Sequence, residues 1–223
     1  MLYLFTNDSY GLPFIRQAVA WQRQTRLPIT IVLSGKSGAA VDTGVLRRCR
    51  RQARQHFRNL WRSWTWGLPI NVVLDVNHTG FAHQIPESAV GIICGFNQIF
   101  PADLIERFRE LVNFHPSLLP LYRGPVPSRW CLRNHETQTG YTLHRVTTAI
   151  DAGELLYQEI VSITANDTDK TLDAKIATAA APTMTLFLEH LRSGKPWQKK
   201  LVDARACYRV PVDYVSFPGR EPA

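Results

Sequence analysis

The chain has few of the residues that staple a small secreted domain. Its 223 residues include four cysteines, Cys49, Cys94, Cys131 and Cys207, set tens of residues apart. They form no C-x-x-C pair and have no histidine at metal-ligand spacing, which argues against a structural zinc site. No metal is expected, and the isolated thiols fit the reducing cytoplasm. Long apolar runs are also missing. No segment supplies the ~18 consecutive apolar residues of a membrane span, so no membrane association is expected. Residues 1–6 are apolar but lack a basic start and run directly into Asn7 and Asp8, unlike a signal peptide. Internal repeats and low-complexity tracts are absent too. With 45% hydrophobic and 20% charged residues, disordered, collagen-like and coiled-coil classes are excluded, and one full-sized domain with a real core is expected.

Acidic residues are missing from one particular place. The net charge of +8 comes almost entirely from an acid-free segment holding Arg47, Arg48, Arg50, Arg51, Arg54, Arg58 and Arg62. Leu46, Cys49, Ala53, Phe57, Leu60 and Trp64 recur through it at three- and four-residue spacing, predicting a helix with one apolar stripe and an arginine-rich outer face. Such a face is either simply solvated or docks a polyanion: RNA, a nucleotide-linked substrate or the glutamate tail of a folate. Trp61, Trp64 and Trp66 fit base stacking or core packing equally.

Residues 2–6, 29–33, 70–74, 90–94 and 111–115 are short, apolar and rich in β-branched side chains, and each reads as a buried strand. Helical patterns alternate with them over residues 12–24, the arginine-rich segment and residues 101–110, the signature of a parallel α/β sheet. Residues 141–146 and 155–163 read as two further strands. A last helix carries Leu172, Ile176, Ala180, Thr183, Phe187 and Leu191, with Pro182 expected to kink it and Gly194 to stop it. The expected division is a domain over residues 1–194 and a proline-punctuated tail over 195–223 packed on the core.

Two phosphate-loop look-alikes carry little. Ser34-Gly35-Lys36-Ser37-Gly38 lacks the earlier glycine of a Walker loop, since Thr30 stands there, and reads as an ordinary turn. Asn7, Ser9 and Gly11 after the first strand suit either anion binding or simple capping. The strongest local pattern is Leu111-Val112-Asn113-Phe114-His115-Pro116. Asn113 and His115, two apart at the end of a strand, share one face. The carboxyl ends of strands are where open α/β sheets bind ligands. Ile150-Asp151-Ala152-Gly153 offers a carboxylate on a flexible turn that can reach the same spot. Amide, imidazole and carboxylate together suit acyl transfer, with the carboxylate keeping the imidazole protonated and the two donors stabilising an oxyanion. On spacing alone, a capped strand end and a surface aspartate explain the same residues.

Four motifs in order add a resemblance: Asn113-Phe114-His115-Pro116-Ser117-Leu118-Leu119-Pro120; Tyr122-Arg123-Gly124 with Pro127; Thr139-Gly140-Tyr141-Thr142-Leu143-His144; and Ile150-Asp151-Ala152-Gly153-Glu154-Leu155-Leu156. Across residues 91–191 the chain resembles the folate-dependent formyltransferases, which comprise methionyl-tRNA, phosphoribosylglycinamide and sugar N-formyltransferases. The resemblance implies a Rossmann-like α/β domain with a mostly parallel sheet and a short C-terminal extension. It implies a 10-formyltetrahydrofolate cosubstrate and a catalytic set of Asn113, His115 and Asp151. The folate pocket would be walled by Gly95, Phe96, Asn97, Gln98, Ile99, Ser117, Leu118, Leu119, Thr147, Thr148, Ala149 and Ile150.

Before residue 91 the likeness is only in element order. Asn7-Asp8-Ser9-Tyr10-Gly11 is neither the usual opening of the tRNA enzymes nor the glycine-rich loop of the purine enzymes. Residues 195–223 are too short for the additional β-barrel of the tRNA enzymes, whereas the basic segment resembles their nucleic-acid contact. The expected reaction is formylation of a primary amine on a small anionic acceptor, a nucleotide-linked amino sugar first, with phosphoribosylglycinamide and charged tRNA as runners-up. A reading from another class makes the chain an idle fold that binds RNA through Arg47, Arg48, Arg51, Arg54 and Arg58.

Overall fold

The computed structural model describes residues 1–7, 10–34, 67–78 and 80–209. The arginine-rich segment, its tryptophans, Cys49 and the turn after Ser34 lie outside the described residues.

Seven strands form one sheet in the order β3-β2-β1-β4-β5-β6-β7. They are β1 (Leu2–Thr6), β2 (Ile29–Ser34), β3 (Ile70–Val73), β4 (Ala89–Cys94), β5 (Phe108–His115), β6 (Gln138–Arg145) and β7 (Leu155–Ser162). β1 to β5 pair in parallel, and β6 and β7 close one edge in antiparallel register. The strand order reverses at β1, which lies between β2 and β4 and so opens a crevice beyond the carboxyl ends of β1 and β4.

Period-two alternation sends each central strand into two cores. Leu2 and Leu4 of β1 face one apolar layer, and Tyr3 and Phe5 face the other. The first layer is covered by α1 (Leu12–Thr25) and the long α4 (Asp169–Ser193), which pack on each other. α1 buries Phe14, Ile15, Ala18 and Trp21, a single helical stripe, and the Trp21 indole N–H donates to Glu189 Oε1 at 2.7 Å. α4 starts in a reciprocal capping box between Thr168 and Thr171, and Gly194 ends it with φ +67. The helix runs through Pro182 to Ser193. The second layer centres on the Phe5 ring, with Phe100 at 4.9 Å, Phe96 at 5.5 Å, Phe108 at 5.9 Å and Phe81 at 6.4 Å between centroids.

Three local readings need correction. The helix expected over residues 101–110 stops early, as α2 (Ala102–Ile105), because Phe108 and Glu110 join β5 and pair with Ala89 and Val90 of β4. A helix the periodicity did not announce, α3 (Pro127–Arg133), begins at a proline, whose fixed φ suits a first helical turn. A short α5 (Ala204–Cys207) lies in the tail. Cys94, Cys131 and Cys207 are free and buried, and burial pushes the Cys94 and Cys131 thiols up to about 12, which leaves them unreactive. Among the described residues no cluster could hold a metal ion, and no helix is long and apolar enough to cross a membrane.

Phe5→Ala opens a cavity among four facing rings. We expect it to cost about 3–5 kcal/mol in urea unfolding, and a loss below about 1 kcal/mol would contradict this account of the second core.

Candidate active site

β5 pairs with β4, so its carboxyl end lies beside the crevice. Its alternation buries Val112 and Phe114 against α1 and α4 and turns Asn113 and His115 to the opposite face. Asp151 reaches them from the turn between β6 and β7. Its backbone has φ +48, a left-handed conformation that aspartate adopts more readily than most residues.

The three side chains meet. Asp151 Oδ2 lies 3.4 Å from His115 Nδ1 and accepts the Gly124 backbone N–H at 2.8 Å. Asp151 Oδ1 accepts from Asn113 Nδ2 at 3.4 Å and lies 3.5 Å from His144 Nε2. His115 Nε2 is 2.8 Å from the Tyr122 carbonyl, which can only accept, so this nitrogen carries a proton. By the same reasoning His144 Nδ1 donates to the Arg145 carbonyl at 2.8 Å, and its Nε2 lies 3.2 Å from Asn113 Nδ2.

Electrostatics divides this group. Burial alone would raise the Asp151 carboxyl. The His144 bond, the His115 ring and the Gly124 N–H outweigh it and hold the group down at about 2, so it is ionised at neutral pH. His115 is buried, and desolvation lowers its pKa although Asp151 and the Tyr122 carbonyl pull the other way. The protonated imidazole expected from sequence is therefore opposed by the ring's removal from water.

His144 is the member that sequence reasoning missed. It lies directly opposite Asn113 in the β5–β6 register, a pairing that the spacing of one strand cannot reveal. The Tyr122 carbonyl and Gly124 N–H were also missed, since backbone groups leave no residue-type signature.

The expected pocket walls occupy three places. Gly95, with φ +72, leaves β4; Phe96 turns into the second core; and Asn97 and Ile99 are exposed. Gln98 braces the strand ends, accepting from the Val76 N–H at 2.7 Å and donating to Ser34 and to the Leu74 carbonyl. Ser117 donates to the Leu121 and Tyr122 carbonyls, and Leu118 and Leu119 are buried behind it. Thr147, Thr148, Ala149 and Ile150 are exposed beside Asp151.

A carboxylate whose folded pKa lies below its unfolded value of about 3.8 stabilises the fold above that value, and the contribution is lost as pH falls towards about 2. The shift corresponds to about 2 kcal/mol. Asp151→Asn keeps the left-handed turn accessible and removes the titration. We expect its unfolding free energy to be lower at pH 7 by about that amount and flatter between pH 4 and 2 than the wild type, as measured by denaturant melts.

Residues 78–188 match the family model described as formyl transferase. A methionyl-tRNA formyltransferase of Geobacter metallireducens is 36% identical over 118 residues, which cover 52% of this chain and 38% of that protein. Among solved structures, the phosphoribosylglycinamide formyltransferase of Anaplasma phagocytophilum has a TM-score of 0.63 at 21% identity, covering 91% of this chain and 90% of its own. An N-formyltransferase of Helicobacter canadensis, in complex with folinic acid and dTDP-3-aminofucose, has a TM-score of 0.61 at 15% identity, covering 91% and 68%. Both share the fold seen here. The matched segment carries β4 to β7, the Asn113-to-Asp151 cluster and most of α4, and through it the chain belongs to the formyl transferase family.

Proposed function

We propose that the chain transfers a formyl group from 10-formyltetrahydrofolate to a primary amine of a small anionic acceptor. The observation that carries this reading is the convergence of Asn113 and His115 on one ionised carboxylate, Asp151, at the carboxyl end of β5. When bound, the folate supplies an activated formyl group. Exposed Ile150, beside Asp151, and Val126, two residues after Gly124, suit an apolar ring system, and the exposed residues Thr147, Thr148 and Ala149 suit its polar edge.

In this reading the acceptor nitrogen bonds to the formyl carbon as the bond from that carbon to the folate nitrogen breaks. Of the two Asn113 amide N–H groups, the one beside His144 Nε2 would turn to the oxygen on which negative charge builds while the other stays on Asp151, and His115 supports it from the same face. The 3.4 Å contact between His115 and Asp151 is looser than the usual 2.7–2.9 Å of a charge-assisted bond, so it competes weakly with a bond from either group to the reacting atoms. The proton shed by the amine passes through Asp151 towards the departing folate nitrogen. Phe114, Leu118 and Leu119, buried behind the cluster, keep water away from one side.

An anionic acceptor fits Arg123, which lies between the two residues whose backbones hold His115 and Asp151 and makes no ion pair among the described residues. A nucleotide-linked amino sugar is our first candidate, supported by the fold shared with an enzyme bound to folinic acid and dTDP-3-aminofucose. A charged tRNA is the second reading, favoured by the 36% identity to a methionyl-tRNA formyltransferase.

An oxyanion donor is typically worth about 2.7–4 kcal/mol. Asn113→Ala is therefore expected to lower turnover by about two to three orders of magnitude, with melting temperature and folate binding by calorimetry little changed. Near-wild-type turnover in the purified variant would remove Asn113 from the reaction.

A further inference from the structure

The chain after α4 returns to the site from behind. Trp197 lies against Tyr157, Phe187 and His190, and its indole N–H donates to the Leu156 carbonyl at 3.0 Å. The Gln158 N–H donates to the Lys200 carbonyl at 2.7 Å, and the Val202 N–H donates to Gln158 Oε1 at 3.1 Å. The segment thus follows β7 before α5 turns it inward.

Beyond α5 the chain reaches the loop that supports the reacting side chains. Tyr208 is buried, and its ring meets the Tyr122 ring edge-on at 4.7 Å. Its hydroxyl accepts the buried Leu118 N–H at 2.8 Å and shares a bond with the Thr139 hydroxyl at 3.0 Å. The Arg209 N–H donates to Glu136 Oε2 at 2.7 Å, and Glu136 Oε1 accepts the Tyr122 hydroxyl at 2.8 Å. The loop is held at Leu118 by one tail residue and at Tyr122 by that residue's ring and its neighbour's backbone.

This loop supplies backbone support to His115 and Asp151. The Tyr122 carbonyl receives the His115 ring proton, and the Gly124 N–H fixes Asp151. A connecting segment held only by its own backbone fluctuates at low cost, whereas one tied into a buried network shares that network's rigidity. The Tyr208 hydroxyl satisfies a buried backbone donor that would otherwise pull the loop towards water.

We propose that Tyr208 is a positioning residue: through Leu118 and Tyr122 it sets the Tyr122 carbonyl, and thereby the orientation of His115 towards Asp151. This rests on the role given to His115 and Asp151 above. Tyr208 touches neither of them. Its effect is transmitted through one buried hydroxyl and one ring contact, so this end of the tail supports the loop under the reacting side chains, whereas Trp197 only covers β7.

The test is NMR of the protein carrying 15N-labelled histidine, combined with steady-state kinetics. In the wild type the His115 Nε2 proton is held by the Tyr122 carbonyl and exchanges slowly with water. Tyr208→Phe keeps the ring and removes the hydroxyl. We expect faster exchange of that proton, together with a drop in kcat of about tenfold at unchanged KM for the folate. Trp197→Phe removes a tail contact with β7 that does not touch the loop, so it is expected to lower the melting temperature and leave the His115 proton and kcat alone. Should Tyr208→Phe fail to fold, Glu136→Gln weakens the same loop at Tyr122 and is expected to give the same His115 response. Unchanged His115 exchange in the loop variant, or the same change in Trp197→Phe, overturns the proposal. The ring proton reports whatever the reaction is, so a normal NMR response without formyl transfer counts against the proposed function and not against Tyr208.

Discussion

A single carboxylate taken largely out of water organises this molecule. Asp151 stays ionised because three side chains from two strands and one backbone N–H surround it, and each of those groups requires a particular element to be in place. β5 must end where it does for Asn113 and His115 to share a face. β6 must pair in its observed register for His144 to stand opposite Asn113. The turn carrying Asp151 must pass close to β6, and there a Cβ on Gly153 would come within 1.9 Å of the Arg145 carbonyl oxygen. A left-handed aspartate beside that glycine is backbone strain located at the reacting group.

The rest of the fold holds this arrangement still. The strand order reverses at β1, which puts the crevice at the ends of β1 and β4, next to β5, and the two helices of the first core fix the buried side of β5. An exposed ion pair such as Arg145 with Glu154 ties β6 to β7 beside the Asp151 turn, but exposed pairs contribute little in water. The apolar layers and the Tyr122–Glu136–Tyr208 network contribute more to rigidity, since their polar groups are buried and paired.

Much of this is legible in the sequence. Five of the seven strands carry short apolar runs, and the i, i+2 spacing of Asn113 and His115 predicts their shared face as found. What stayed hidden was non-local. Residues 108–110 look like the end of a helix because their pattern is short, and only pairing with β4 makes them strand. His144 sits in an unremarkable alternating run whose register a single strand does not encode. Tyr122 and Gly124 act through a carbonyl and an N–H, which every residue possesses. Tyr208 lies in a tail whose prolines and basic residues suggest a loop, and its role comes from tertiary contact with Leu118 and Tyr122 alone.

The most direct test of the central claim follows the formyl carbon itself. The protein is mixed with 10-formyltetrahydrofolate carrying 13C in the formyl group and with a panel of primary amines that includes nucleotide-linked amino sugars, phosphoribosylglycinamide and methionyl-tRNA, and the label is tracked by NMR. The account predicts an enzyme-dependent formamide signal on an anionic acceptor, with tetrahydrofolate released in equal amount. Label that stays on the folate with every amine, or that leaves only as free formate, would contradict it.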